Sequence, residues 1–260
     1  MKIISWNVNS VRVRIEAIKE LLEKEKPDIV CLQETKVTNS EFPNNIFEKV
    51  GFHSYFNGIA SYNGVAILTK KKPVRIQTIN FCDKEDARHI SLELNDIEFI
   101  SIYVPAGGDD PDPSTNEKFK HKLDFLNEML KLLLEKRNKK IILCGDLNIA
   151  PYEDDVWSHK SLANVVSHTE TERNSLKNIL HECNLTDSIR FFLNPPMNIF
   201  TWWSYRSPNF ETNNRGRRLD HIFASSVLSR NFKSARILRD FRKKERPSDH
   251  VPVTLELEVS

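Results

Sequence analysis

The chain has 260 residues, 39% hydrophobic and 28% charged, a balance that excludes disordered and fibrous proteins and fits an ordinary soluble globular one. No apolar run is long enough to span a bilayer and the N-terminus lacks the regions of a signal peptide, so a cytoplasmic protein without a membrane partner is expected. The formal charge of +2 decides nothing, but its distribution does: residues 206–246 carry twelve Lys or Arg against four Asp or Glu, +8 locally against −6 for the remainder.

In chain order, Lys2-Ile3-Ile4-Ser5-Trp6 reads as a strand. Ser10 can then cap a helix that runs to about Lys26, with Val11, Ile15, Ile18, Leu21 and Leu22 as its apolar stripe, and Pro27 stops it. Residues 28–34 form a continuous apolar strand that ends on an acid, Glu34. Short β segments are expected at 52–57, 64–69, 74–81, 88–94 and 97–104, with Asn95-Asp96 as a hairpin turn between the last two. The loop 106–113 is polar. Ser114 or Thr115 then opens a helix ending near Lys136, whose Phe119, Leu123, Leu126, Met129, Leu130 and Leu133 are core positions.

Residues 140–151 carry the most informative pattern: an apolar strand is released by Gly145 into a turn bearing Asp146 and Asn148. Side chains two apart on extended chain point the same way, so a carboxylate and a carboxamide face one place. A plain Asx turn closing the strand is the competing reading. Beyond it come an irregular acidic passage, a helix at about 173–183, a break at Pro195-Pro196 and a strand at 219–224. A last strand, 251–259, follows Ser248-Asp249-His250. No linker, low-complexity segment or close sequence repeat divides the chain, and one domain over residues 1–260 is expected. Cys31, Cys82, Cys144 and Cys183 are too widely spaced for a zinc knuckle or redox motif; Cys31 and Cys144 read as core residues in a reducing compartment.

The strands thus deliver Asn7, Asn9, Glu34, Tyr103, Asp146, Asn148, Asp220, Asp249 and His250 to their ends. Each has a structural explanation by itself, as turn residue, cap partner or core aromatic. Together, gathered carboxylates would repel unless a cation offsets them, and a hard cation such as Mg²⁺ suits oxygen ligands. Zinc-type Cys/His clusters, a G-x-S-x-G elbow and a Gly-rich P-loop are all absent from the sequence, which leaves metal-assisted phosphoester hydrolysis by water.

Six pieces carry a resemblance: Ser5-Trp6-Asn7-Val8-Asn9, Leu32-Gln33-Glu34-Thr35-Lys36, Tyr103-Val104-Pro105, Gly145-Asp146-Leu147-Asn148-Ile149-Ala150-Pro151, Arg218-Leu219-Asp220 and Ser248-Asp249-His250-Val251-Pro252. In this order, and over nearly the whole chain, they resemble the exonuclease III branch of the AP endonuclease family, within the endonuclease/exonuclease/phosphatase superfamily. The resemblance implies an α/β fold, a four-layered α/β sandwich of two mainly antiparallel β-sheets flanked by helices (DNase I-like). It implies a monomeric DNA-repair hydrolase that cuts 5′ to abasic sites in double-stranded DNA and trims 3′ ends. Mg²⁺ is the implied cofactor, with Mn²⁺ as a substitute.

By the same resemblance Glu34 is the principal metal ligand, with Asn7, Asp146, Asn148 and Asp249 nearby. Asp146 handles the attacking water and is favoured as general base over His250, Asn148 holds water or phosphate, Asp220 orients His250, and Tyr103 assists at the phosphate or leaving group. Asn9, Trp202, Arg206, Arg215 and Arg218 are the implied DNA contacts, Trp202 packing on the flipped abasic sugar and Trp203 serving mainly the core. Ala106-Gly107-Gly108 departs from relatives that place an Asn or Gln contact to DNA there. A superfamily phosphodiesterase acting on RNA or a phosphoinositide, and a non-catalytic DNA-binding relative, are the alternatives.

Overall fold

The computed structural model describes residues 1–207 and 209–259. Among them, twelve strands build two six-stranded sheets. They are β1 (Lys2–Asn7), β2 (Ile29–Gln33), β3 (His53–Asn57), β4 (Val65–Thr69), β5 (Arg75–Gln77), β6 (His89–Leu94), β7 (Ile97–Tyr103), β8 (Lys140–Asp146), β9 (Leu185–Asp187), β10 (Asp220–Ser225), β11 (Phe232–Ile237) and β12 (Val253–Leu257). One sheet has the order β11-β12-β1-β2-β4-β3 and the other β5-β6-β7-β8-β10-β9. Each contains a single parallel pair, β1/β2 and β7/β8, joined by the helices Ile15–Glu25 and Glu117–Glu135; all other pairs are antiparallel. The orders β1-β2-β4-β3 and β7-β8-β10-β9 are the same path walked twice. The fold therefore repeats a unit that the sequence does not repeat.

Period-two alternation explains the layers. Ile3, Ile29, Cys31, Val65 and Ile67 of the first sheet meet Ile90, Phe99, Ile142, Cys144 and Ile222 of the second in a shared interior. The intervening residues point outward: Ile4, Trp6, Val30 and Leu32 pack against Ile18 and Leu21 of the first helix, while Ile100, Ile102, Ile141 and Leu143 pack against Phe125, Leu126, Met129, Leu176 and Ile179. Each such side chain, fully buried, contributes about 1.5–3 kcal/mol. Continuing the inward register, Ile3-x-Ser5-x-Asn7, Phe99-x-Ser101-x-Tyr103 and Ile142-x-Cys144-x-Asp146 run from apolar core to polar rim. Gln33 marks the boundary, donating to Ser5 and Ser101 across the two sheets.

Some expected boundaries move. Ser10 caps nothing: its N–H bonds the Glu34 carbonyl at 2.7 Å, flanked by Val8 to Gln33 and Val11 to Thr35, so ladder-like pairing outlasts β1 and the helix starts only at Ile15. The next long helix is capped by Asn116 rather than Ser114 or Thr115, and the third starts at Glu170 under a Thr169–Glu172 capping box. Residues 74–81 yield only the three-residue β5, with Phe81 in a 3₁₀ turn. Asn95 and Asp96 form the expected hairpin turn, both at positive φ (50° and 61°). Cys31 and Cys144 lie in the core, and all four cysteines are free. No helix is long and apolar enough to cross a membrane among the described residues.

His89 on β6 is buried, and neither ring nitrogen finds a hydrogen-bond partner. Burial pushes its pKa down to about 4. The unfolded chain binds the proton near pH 6.5, so this contribution to stability is complete above that pH and is lost as pH falls toward 4. About 2 kcal/mol should disappear between pH 7.5 and pH 5 through this residue. Urea unfolding at the two pH values tests it: His89→Phe should flatten the acid loss by that amount, and an unchanged loss would refute the assignment.

Candidate active site

The two parallel pairs bring their C-terminal ends to one rim. Asn7 pairs with Gln33, so Glu34 follows directly, and Tyr103 pairs with Asp146. Asp220 lies opposite Asp146 in the antiparallel β8/β10 register. Gly145 is the residue that permits this. It does not start the turn, as expected from its sequence position, but lies within β8, where a Cβ would come 2.0 Å from the Ile102 carbonyl oxygen. The turn is made by Asn148 at φ 52°, whose N–H bonds Asp146 Oδ1 at 2.9 Å. The Asx-turn reading therefore holds, and the same turn sets Asp146 and Asn148 on the rim.

Asn7 Nδ2 bridges the two carboxylates, donating to Glu34 Oε1 (2.8 Å) and to Asp146 Oδ2 (2.9 Å). Tyr103 Oη donates to Glu34 Oε1 at 2.8 Å. The imidazole of His250 lies between acids, Nδ1 2.8 Å from Asp220 Oδ2 and Nε2 3.6 Å from Asp146 Oδ2. Thr201 Oγ1 donates to the same Asp220 oxygen at 2.6 Å and receives the backbone N–H groups of Leu219 and Asp220. Ser248 Oγ ties the segment to the Asn7 carbonyl at 2.7 Å.

These contacts set the charges. Burial opposes an imidazolium at His250, but Asp220 and Asp146 outweigh it and raise the pKa to about 10. Burial lifts Asp146 to about 7, against the pull of the His250 charge. At Glu34 burial is overcome by Lys36 and by the Asn7 hydrogen bond, so the carboxyl stays ionised. Burial, with Glu34 beside it, holds the Tyr103 phenol protonated. Ligand atoms of Glu34, Asp146 and His250 lie within 4.8 Å of one another. Because Nδ1 of His250 faces Asp220 and the ring is cationic, the oxygens of Glu34 and Asp146 form the fitting set, one suited to a hard cation.

The endonuclease/exonuclease/phosphatase family profile matches residues 4–250. This chain belongs to that family. It is 33% identical to the exodeoxyribonuclease III of Haemophilus influenzae over 98% of this chain and 99% of that one. Among solved structures it is similar to an AP endonuclease from Archaeoglobus fulgidus (TM-score 0.93, 33% identity, both chains fully covered). It is equally similar to a 3′ phosphatase from Neisseria bound to a product DNA hairpin (TM-score 0.93, 32% identity, both chains fully covered). The chain is a nuclease-type phosphoester hydrolase with the DNase I-like fold.

Within this family member the remaining expected residues separate. Asn9 and Asp249 join a second hydrogen-bonded line: Asn9 Nδ2 donates to Asp249 Oδ1 (3.0 Å), and Trp202 Nε1 donates to Asp249 Oδ2 (2.9 Å). Asp249 thus stands outside the Glu34–Asp146–His250 group and anchors Trp202. The Trp202 ring is half-buried under the Arg217 guanidinium at 5.5 Å, while Trp203 packs in the interior with Phe200 and Val251. Arg206 and Arg215 are exposed, the latter over Trp157 at 4.7 Å. Arg218 is a correction. It is fully buried, with Nε and Nη2 donating to Asp155 (2.8 and 2.9 Å) and Nη1 2.8 Å from Asp187, so it cannot meet a phosphate.

Two lysines were not foreseen. Lys36 Nζ lies 2.8 Å from Glu34 Oε2. Lys122 is completely buried in the helix Glu117–Glu135, bonded to the carbonyls of Asn148 (2.8 Å) and Ala106 (3.2 Å) and paired with Glu172. One ammonium thereby fastens the Asn148 turn to the Ala106-Gly107-Gly108 loop. The available signal was its place in the apolar stripe, three after Phe119 and four before Leu126.

Proposed function

We propose that this protein is a Mg²⁺-dependent DNA-repair nuclease that hydrolyses the phosphodiester 5′ to abasic sites in duplex DNA and trims 3′ ends, with Mn²⁺ able to replace Mg²⁺. The carrying observation is that Glu34 and Asp146, joined through Asn7, stand beside a His250 imidazolium oriented by Asp220. Glu34 and Asp146, with Asn7 adjoining, would hold the cation, which when bound supplies charge neutralisation at the phosphate. Asp146, which burial raises to about 7 in the ion-free site, would accept a proton from the attacking water, and a bound cation beside it would hold it ionised for that role. Asn148, fixed by its N–H to Asp146 and by Nδ2 to the Val104 carbonyl, orients that water or the phosphate. The His250 imidazolium faces charge that develops on the phosphoryl oxygens, and the Tyr103 phenol is a donor at the same rim.

Names borne by the relatives support DNA as the substrate, and so does the surface. Half-buried Trp202 offers a face to a sugar lacking its base, where flipping costs least, and exposed Arg206 and Arg215 are placed on the basic segment for phosphates. Incubation with a duplex containing one synthetic abasic site tests the reading. Single-site incision with Mg²⁺ that EDTA abolishes is expected. Binding without incision would favour the non-catalytic alternative, and cleavage confined to RNA would move the substrate.

A further inference from the structure

Around Glu34, the two carboxylate oxygens differ. Oε1 already accepts two hydrogen bonds, from Asn7 and Tyr103, whereas Lys36 is the charged group on Oε2. The direction along which a cation would reach Glu34 from the rim is therefore the one that the Lys36 ammonium takes. The Glu34 side chain is 17% exposed and that of Lys36 28%, so the pair sits where water and ions arrive. Its geometry is built in by the backbone. Glu34 and Lys36 are both left-handed (φ 52° and 56°), and the Thr35 and Lys36 N–H groups are pinned to the carbonyls of Gly64 and Asn63 ahead of β4. That double bend folds residue 36 back onto residue 34. The second contact of Lys36 is Asn9 Oδ1 at 2.5 Å, and Asn9 leads through Asp249 to Trp202.

We propose that Lys36 is a tethered counter-cation that occupies the divalent-ion position at Glu34 and is exchanged for the ion when it binds. The proposal rests on the cation reading given above. In the ion-free protein the ammonium prevents Glu34 from facing Asp146 as an uncompensated charge, so the rim stays folded without metal. On exchange the ammonium is released at the mouth of the site, free to meet an anion. Ion binding is weakened by the competition, and an anionic phosphodiester and the ion assist one another through the freed lysine, since coupling between two sites is reciprocal.

Titration with Mn²⁺ alone, followed by electron paramagnetic resonance of the free ion, tests the exchange in the wild-type protein, Lys36→Met, Lys36→Gln and Lys36→Arg. Removal of the competing charge should tighten Mn²⁺ binding roughly tenfold in the Met and Gln variants, the scale of a charge a few ångström away in a partly screened site. Lys36→Arg, which keeps the charge, should bind no tighter than wild type. Equal or weaker affinity in the Met and Gln variants would overturn the exchange while leaving the cation site standing. Absence of Mn²⁺ binding in all four proteins would overturn the site and the exchange together. Thermal melting in EDTA establishes that each variant is folded when titrated.

Discussion

Replacing Asp146 with Asn is expected to lower turnover by about 10²–10⁴-fold, the usual contribution of a general acid–base group, while the fold and DNA binding persist. The carboxylate is buried and accepts from Asn7 Nδ2 and the Asn148 N–H. Its oxygens, with those of Glu34, are the proposed cation set, and in the ion-free site burial raises its pKa to about 7. Asparagine keeps the shape and can accept the Asn148 N–H, so the turn should survive. It cannot take up a proton, and it offers the His250 imidazolium a dipole in place of a charge. The His250 pKa should accordingly fall, because Asp146 is among the groups that raise it. Single-turnover incision of an abasic duplex across pH, with binding measured on an uncleavable analogue, separates the effects. Activity within tenfold of wild type would remove Asp146 from the water-handling role.

Arg218→Met should cost about 3–5 kcal/mol of stability, the range for breaking a buried ion pair from one side. The guanidinium fills the gap between Asp155 and Asp187, and all three side chains are almost completely enclosed. With Met there, Asp155 would retain Arg190 but Asp187 would keep only the N–H groups of Ile189 and Arg190. A fall in Tm of roughly 10 °C follows for a domain of this size. Below that temperature, the salt dependence of DNA binding should not change. The phosphate-contact role expected from the sequence makes the opposite forecast: unchanged stability and a salt slope smaller by about one ion. Calorimetry together with a salt titration therefore distinguishes the two.

Arg218 shows why part of the site was illegible. Its charge and its neighbours in the basic segment are local facts, and locally it is indistinguishable from Arg215 and Arg217. Its partners lie 63 positions earlier, at Asp155, and 31 earlier, at Asp187, and only the approach of the 3₁₀ turn Glu153–Asp155 and of the end of β9, where Asp187 pairs with Phe223 of β10, makes it interior. Asp249 was legible only in part. Its place in Ser248-Asp249-His250 associates it with the metal, whereas its hydrogen bonds to Asn9 and to the Trp202 indole depend on the folded chain. Lys36 escaped notice because two left-handed residues, not extended spacing, bring it onto Glu34.

By itself the sequence determined ten of the twelve strands, the long helices and the family, and it named the polar residues of the rim; β9 and β11 were not read from it. Those depend on short-range order: period-two alternation carries an apolar register outward until it reaches Asn7, Tyr103, Asp146 and Asp220, and the motifs around them are contiguous. Tertiary structure alone decided which of these groups share charge and which are silent. The coupling of His250 to Asp146 and Asp220, the bridge of Asn7, the ammonium of Lys36 on Glu34 and the burial of Arg218 and Lys122 each join residues from separate elements or bend the chain out of its regular period. Charge interactions fall with distance in space, and the sequence records only separation along the chain.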